Sequence, residues 1–399
     1  MKVVHVTLRF DAPGGVETNV REVTRRLRAA GVDVAVYASD LYDESRWERR
    51  TNYASEVDGV PVRRFGVRKR LVPGLTMPMM VGLIDALASS GADVIHVHSH
   101  RYGHVLESAA VAERRGIPLV VSMHYHPADA GEPPLKRGLL RVQDVGFGMT
   151  AYRVARALVV ESEREAALVR EFAPRDKIRV IPPGIDLAAW ADPAKDPLPP
   201  GLVPSEYFLF VGRIAPNKGL ETLVEALARL PPDARRPLVL MGRDWGRRAA
   251  LEALASARGI ADLVRFLGHV PDDRTYRAVF RAASAFVLPS EWEAYGLVLL
   301  DAMAAGAPAV ATSVGALPEV LEGGRSGRLV PYGDAAALAE ALRATIEDHD
   351  ATRRLVTAAT ERVRGLDWSV SADRYRDLYR EVVEGGAGAR SRSTSSRPT

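Results

Sequence analysis

Short runs of β-branched and aliphatic residues alternate with amphipathic stretches along almost the whole chain, from MKVVHVTLRF at the start to a last periodic stretch at 368–383. Strands that are apolar on both faces, each followed by a helix, specify parallel sheets covered by helices on either side. The pattern predicts strands at 3–8, 34–38, 60–65, 94–98, 119–123, 157–160 and 178–181 in the first half. In the second half it predicts strands at 207–211, 238–241, 264–267, 285–289, 309–312 and 327–330. Between the two series the run DPAKDPLPPGLVP at 192–204 is proline-rich and without period, so it reads as a linker at 191–205. The expected organisation is a first α/β domain at 1–190 and a second at 206–367, both doubly wound. A final helix is expected at 368–384 and a disordered tail at 385–399, where the sequence turns to GGAGARSRSTSSRPT.

Composition narrows the class. With 399 residues, 47% hydrophobic and 26% charged, the chain has the profile of a soluble two-domain protein. A net charge of +4 gives no bulk argument for nucleic acid, and the absence of cysteine excludes disulfides, thiolate metal sites and a cysteine nucleophile. No apolar run approaches a membrane span and the first residues lack a signal-peptide pattern, so a cytoplasmic location is expected.

Two strand ends carry the chemistry. After YFLFV comes Gly212-Arg213-Ile214-Ala215-Pro216-Asn217-Lys218-Gly219, then a helical stretch. Glycines 212 and 219 allow tight turns, Arg213 can fork onto phosphate oxygens and Lys218 adds a point charge, at the end of a parallel strand where open α/β sheets place ligands. This is neither a P-loop nor a dinucleotide fingerprint. After AFVLP comes Ser290-Glu291-Trp292-Glu293-Ala294-Tyr295-Gly296-Leu297, opening a second helix whose free amides at Tyr295, Gly296 and Leu297 suit an anion. Asp301, farther along, can accept from two adjacent hydroxyls, and Glu293 is placed to meet hydroxyls beyond a diphosphate. Together they describe a site for a sugar carried on a nucleotide diphosphate.

At these residues the chain resembles the retaining glycosyltransferases of family 4, over nearly its whole length. Gly14-Gly15-Val16-Glu17 is similar to the glycine loop of the first domain and VVSMH, ending at His124, to its strand-end histidine. PPGID at 182–186, VGRIAPNKG, EAYGLVLLDAMAAGAPAVAT and GRLVPYGD follow in the family order. The resemblance implies the GT-B fold, two Rossmann-like domains facing each other across a cleft, with the last helix packing back on the first domain. It implies metal-independent transfer of a hexose from a nucleotide sugar (GDP-mannose, UDP-glucose and UDP-N-acetylglucosamine being common) to a glycan or lipid-linked acceptor. Arg213 and Lys218 would bind the diphosphate and Glu293 the donor sugar. Asp301 would hold the ribose, Gly212, Gly242 and His269 would lie at the nucleotide, and Gly14, Gly15 and His124 would reach the donor from the first domain. His98 and His100 fall on the acceptor side. Asp301 departs from the family, which usually carries glutamate; losing a methylene withdraws the carboxylate by about 1.5 Å. An epimerase or phosphorylase of the same fold, or a sugar-nucleotide-binding protein without turnover, are the alternatives.

Other features are weaker. His96, His98, His100 and His104 alternate as a metal-binding strand face would, but no carboxylate completes the set. Asp348-His349-Asp350 follows a helix rather than a strand and reads as a helix end. His126 is an alternative to His124 but points the other way if strand alternation persists. Arg63, Arg64, Arg68, Lys69 and Arg70 precede LVPGLTMPMMVGL. That arrangement is either a charged loop beside a buried helix or a patch for anionic lipid on the inner face of the membrane, which Lys136, Arg137 and Arg141 would extend.

Overall fold

A computed structural model describes residues 1–12, 14–43, 47–50, 55–72, 75–127, 133–191 and 197–394; the side chains of 69–72, 75–76 and 386–394 fall outside that description. The chain divides into two compact units, Met1–Pro183 with Trp368–Thr399, and Gly184–Asp367. The first boundary therefore falls at Pro183 and Gly184, ahead of the proline-rich run. A short helix, Leu187–Trp190, already belongs to the second unit, N-capped by Asp186, whose side chain accepts from the Ala189 amide. Residues 192–196 of the expected linker lie outside the described residues.

Among the described residues the first unit is built on an eight-stranded sheet. Its order is Ile178–Val180, Ala157–Val160, Leu119–Ser122, Val94–His98, Lys2–Thr7, Asp33–Ser39, Val60–Phe65 and Glu56–Val57. All neighbours are parallel except the last pair. Runs such as Val94–His98 and Leu119–Ser122 are buried at every position, as strands covered on both faces must be. The second unit has, among the described residues, a six-stranded sheet in the order Val264–Gly268, Leu238–Met241, Phe208–Val211, Ala285–Leu288, Ala309–Thr312, Arg328–Val330, all parallel. Its core gathers Phe208, Phe210, Phe280, Phe286, Leu299 and Leu300, each fully buried.

In both sheets the strand order reverses beside a central strand: between Lys2–Thr7 and Val94–His98 in one, between Phe208–Val211 and Ala285–Leu288 in the other. The loops leaving two such strands diverge to opposite sides and open a crevice at their carboxyl ends. The loops so placed in the second unit are 212–219 and 289–296.

Two expectations differ from what is seen. Val67–Val72 pairs antiparallel with Leu75–Met80, rather than forming a loop and helix; within the second of these strands Pro78 has no amide to give a helix. The last helix runs from Trp368 to Thr394, past the expected end at 384, since the small residues of GGAGAR do not by themselves stop it; residues 395–399 lie outside the described residues.

Candidate functional site

In the second unit the polypeptide leaves the central strand at Gly212 with φ near 152°, alongside Gly242 at 151°. A Cβ on Gly242 would run into the Gly212 carbonyl, so two backbones approach here as only glycine permits. The Gly212 amide donates to Met241 and the Gly242 amide to Gly268. The next residues pair as a short bridge, Ile214 with Asp244, which buries Ile214 and turns Arg213 outward. The exposed Arg213 guanidinium stacks 4.8 Å from the centre of the Trp245 ring, and among the described residues it has no carboxylate partner. Stacking of this kind orients a guanidinium and leaves its N–H groups for a ligand.

Lys218 ends a one-turn segment, Pro216–Lys218, and Gly219 at φ 62° redirects the chain into the helix Leu220–Arg229. A Cβ on Gly219 would strike the Pro289 carbonyl, so this glycine lets the two functional loops touch. Two bonds join them, from Lys218 to Glu293 and from Glu291 to Asn217, and a third within the second loop supports Glu293. Lys218 Nζ lies 2.6 Å from Glu293 Oε1, Ser290 Oγ donates to the same oxygen at 2.7 Å, and the Glu291 amide donates to the Asn217 carbonyl at 3.0 Å. Lys218 and Glu293 are only 13% and 15% exposed. From behind, the Ala316 amide donates to the Glu293 carbonyl. Sequence reasoning gave Lys218 and Glu293 separate tasks, whereas the structure pairs them with each other.

The helix Leu297–Ala305 begins after Gly296, at φ 88°, with no side chain capping its first turn. Tyr295 is buried beneath it. Asp301 lies further along, its Oδ2 accepting from the Tyr276 hydroxyl at 2.8 Å. Burial pushes its carboxyl up to about 6, against the lowering effect of that bond. His269 is exposed just beyond the strand Val264–Gly268.

In the first unit Gly14 is extended and precedes the helix Gly15–Ala29, whose first turn carries Glu17. Arg9 Nε lies 2.7 Å from buried Glu17, and a Cβ on Gly14 would collide with that carboxylate. His124 sits just after the strand Leu119–Ser122 at φ 44°, nearly enclosed. Its Nδ1 lies 3.0 Å from Glu161 Oε1 and its Nε2 3.3 Å from His98 Nδ1, so both ring nitrogens are engaged inside the protein. Burial acts to lower its pKa, but Glu161, Glu165 and Glu17 outweigh that and raise it above the usual histidine value.

His98 and His100 do not line a surface. His98 is buried against His5 and His124, and buried His100 faces Asp144 at 3.6 Å. His104 donates to the His98 carbonyl and His126 to the Pro127 carbonyl. Asp348 caps the helix His349–Arg364 and Asp350 pairs with Arg353, an ordinary helix junction. Among the basic residues of 63–70, Arg64 is bound by Asp11 and Arg63 lies over Tyr37 and Phe65; the Lys69 and Arg70 side chains lie outside the described residues.

Sequence reasoning missed Glu161, Ser290, Trp245 and Tyr276. Glu161 was within reach of it. The residue ends the strand Ala157–Val160 and precedes Ser162, which caps the next helix by accepting from the Glu165 amide, and a polar strand-end residue before a capped helix is a site position in this architecture. No local signal marked Trp245 or Tyr276, which depend on tertiary pairing.

The family described as Glycosyl transferases group 1 matches residues 201–362, and the one described as Glycosyltransferase Family 4 matches residues 13–189. A relative named D-inositol 3-phosphate glycosyltransferase, from Xylanimonas cellulosilytica, is 32% identical over 93% of this chain and 92% of its own length. One from Streptomyces scabiei bearing the same name is 32% identical over 92% and 86%. Among solved structures, sucrose-phosphate synthase from Thermosynechococcus elongatus aligns with a TM-score of 0.73 at 24% identity, covering 96% of this chain and 99% of that one. Anabaena HepE in complex with UDP and glucose aligns at 0.74 and 20%, covering 96% and 100%.

Proposed function

The chain belongs to glycosyltransferase family 4 and is a glycosyltransferase, and from that premise we propose that it moves a hexose from a uridine-diphosphate sugar to D-inositol 3-phosphate, with retention and without a metal. The acceptor is drawn from the name shared by its relatives and the base from the UDP seated in a structure of the same fold. The observation that carries the donor half is the pair of loops at the switch point of the second sheet, with Arg213 held out on Trp245 and Lys218 tied to Glu293 and Ser290.

Rupture of the glycosyl–phosphate bond sends its electron pair to the β-phosphate oxygen and leaves positive character on the anomeric carbon. Fixed cations at the diphosphate lower that barrier most, because they are strongest where charge develops. Arg213 offers a planar fork, Lys218 has N–H groups beyond the one given to Glu293, and the amides at Leu297 and Val298 add the uncapped helix start. These groups supply the charge that a divalent ion provides in other transferases. Glu293 would meet the sugar hydroxyls and Asp301 the ribose. Retention requires the acceptor oxygen to bond the anomeric carbon on the face the phosphate leaves, its proton passing to the departing phosphate.

The test is product analysis. UDP-glucose, UDP-N-acetylglucosamine and GDP-mannose are each incubated with D-inositol 3-phosphate in EDTA, and the products are read by mass and anomeric configuration. One uridine donor yielding an α-linked inositol product is expected; an epimerised donor, a sugar 1-phosphate, or dependence on added metal would overturn the reading.

A second reading, an acceptor held at a lipid surface, is favoured by the helix Pro134–Phe147. It turns Leu135 (87% exposed) and Val142 (69%) to solvent beside the exposed Lys136, Arg137 and Arg141. Flotation with anionic but not neutral vesicles, abolished by Leu135→Asp, separates it from a soluble acceptor.

A further inference from the structure

Eight polar groups in the first unit form one continuous chain of hydrogen bonds in a buried interior. From the inner end, Tyr375 Oη lies 3.3 Å from Ser122 Oγ, which lies 2.8 Å from His96 Nε2; His96 Nδ1 lies 2.6 Å from Tyr379 Oη. Tyr379 Oη continues to His5 Nε2 at 3.2 Å, and His5 Nδ1 to His98 Nε2 at 3.0 Å. His98 Nδ1 reaches His124 Nε2 at 3.3 Å, and His124 Nδ1 reaches Glu161 at 3.0 Å. Both tyrosines come from the helix Trp368–Thr394, while His5 and His96 are register partners on adjacent strands.

One end can only accept. Ionised Glu161, which also takes the Asn19 amide, has no proton to give, so His124 must carry its hydrogen on Nδ1. Neutral His124 then presents a lone pair at Nε2, which requires a hydrogen on His98 Nδ1. That in turn requires one on His5 Nδ1, and the Tyr379 hydroxyl must donate to His5. Tyr379 then accepts from His96 Nδ1, and His96 Nε2 accepts from Ser122, which accepts from Tyr375. Every bond is satisfied in one direction with all four imidazoles neutral and alike. The opposite direction leaves the Tyr375 hydroxyl with no acceptor in the chain and needs an added proton on His124.

We propose that this chain acts as a single unit whose polarity is set by Glu161, so that His124 presents an acceptor lone pair at Nε2 to a hydroxyl-bearing ligand. Glu161 is thus a positioning residue. The link between His98 and His124, one of the two longest, is the one a ligand hydroxyl would replace. A lone pair repels phosphate oxygens and accepts from a hydroxyl, so His124 selects a hydroxyl over a phosphate. The groups facing His124 are Glu161, Glu165, Glu17 and His98; the first three favour its protonation, which would reverse every bond except that to Glu161. The use made of Nε2 rests on the transferase reading; the polarity does not. The ring nitrogens of His5, His96 and His98 also lie within 4.8 Å of one another, a spacing a metal ion could exploit. Those in the chain already have partners, so an ion would have to break it.

The experiment uses the full chain with ¹⁵N-labelled histidine rings, whose nitrogen shifts report tautomer and charge. At pH 8, His5, His96, His98 and His124 are each expected neutral with hydrogen on Nδ1. Glu161→Gln, whose amide can donate, should disturb the tautomers as far away as His5 and His96. Tyr379→Phe should change His5 and His96 yet leave His98 and His124 as they are. Binding adds an independent readout: Glu161→Gln should weaken UDP-glucose by about tenfold, the worth of one hydrogen bond, and leave UDP alone unchanged. A hydrogen on Nε2 of any of the four in the wild type, an effect of Glu161→Gln confined to His124, or a spectrum altered by EDTA would overturn the proposal. The wild-type spectrum decides the polarity even if a variant misfolds. A protein that binds no nucleotide sugar but shows these tautomers would sink the transferase reading alone.

Discussion

Lys218 and Glu293 form an ion pair, so among the described residues of the loop 212–219 Arg213 is the cation without a carboxylate partner. Arg213→Ala should lower turnover by roughly 10 to 150-fold, the worth of a charge-assisted contact made only in the transition state, and leave Tm unchanged because the side chain is exposed. Lys218→Ala should cost similar turnover and also several degrees of Tm, since it leaves a largely buried Glu293 carboxylate with Ser290 alone. Glu293→Gln should do something different: freed from its counter-charge, Lys218 should bind UDP roughly 3 to 10-fold more tightly while transfer falls, measured by calorimetry and product formation. Asp301 gives a pH signature. Its folded-state pKa of about 6 lies above the ordinary value, so its carboxyl holds a proton below pH 6 and must release it to accept two ribose hydroxyls. Affinity for UDP-glucose, whose diphosphate does not titrate in this range, should fall about tenfold between pH 7.5 and pH 5 and be flat in Asp301→Asn. Arg213, Lys218 and Glu293 stand out in the sequence because they follow strand ends, and Asp301 because it lies on the helix that the second such loop opens. Their partners were not legible: Trp245 meets Arg213 and Tyr276 meets Asp301 from other crossovers, and only folding brings them together.

Thirteen strands of the two parallel sheets were legible to within a residue, for a simple reason. A strand buried on both faces is apolar throughout and bounded by turn residues, so Leu238–Met241 and Ala309–Thr312 announce themselves. The hairpin Val67–Val72 and Leu75–Met80 was not, because its apolar and basic residues read equally as helix edge or exposed ribbon until pairing decides. At this scale the glycines are the vulnerable joints. Gly242→Ala combines a backbone conformation rare for other residues with a collision against the Gly212 carbonyl. It should cost about 2 to 4 kcal/mol by denaturant titration and abolish nucleotide binding, whereas Gly246→Ala, with open space at its Cβ, should retain binding.

In the whole molecule the chain leaves its first unit at Pro183 and comes back to it at Trp368. The returning helix buries Trp368, Tyr375, Leu378, Tyr379 and Val382, roughly 2 kcal/mol apiece, which together rival the stability of a domain. A chain ending at Asp367 should therefore lose the unfolding transition of the first unit and keep that of Gly184–Asp367, two events that calorimetry separates. That dependence explains why the histidine chain escaped sequence reasoning: its inner partners, Tyr375 and Tyr379, lie more than 250 residues from Ser122 and His96. The account as a whole stands on the cations of the second unit. Calorimetric titration of UDP-glucose in EDTA, into the wild-type chain and into Arg213→Ala and Lys218→Ala, tests it most directly. Binding by the wild type that weakens at least tenfold in each variant is the predicted result; equal affinities in all three chains, or none without a divalent ion, would contradict it.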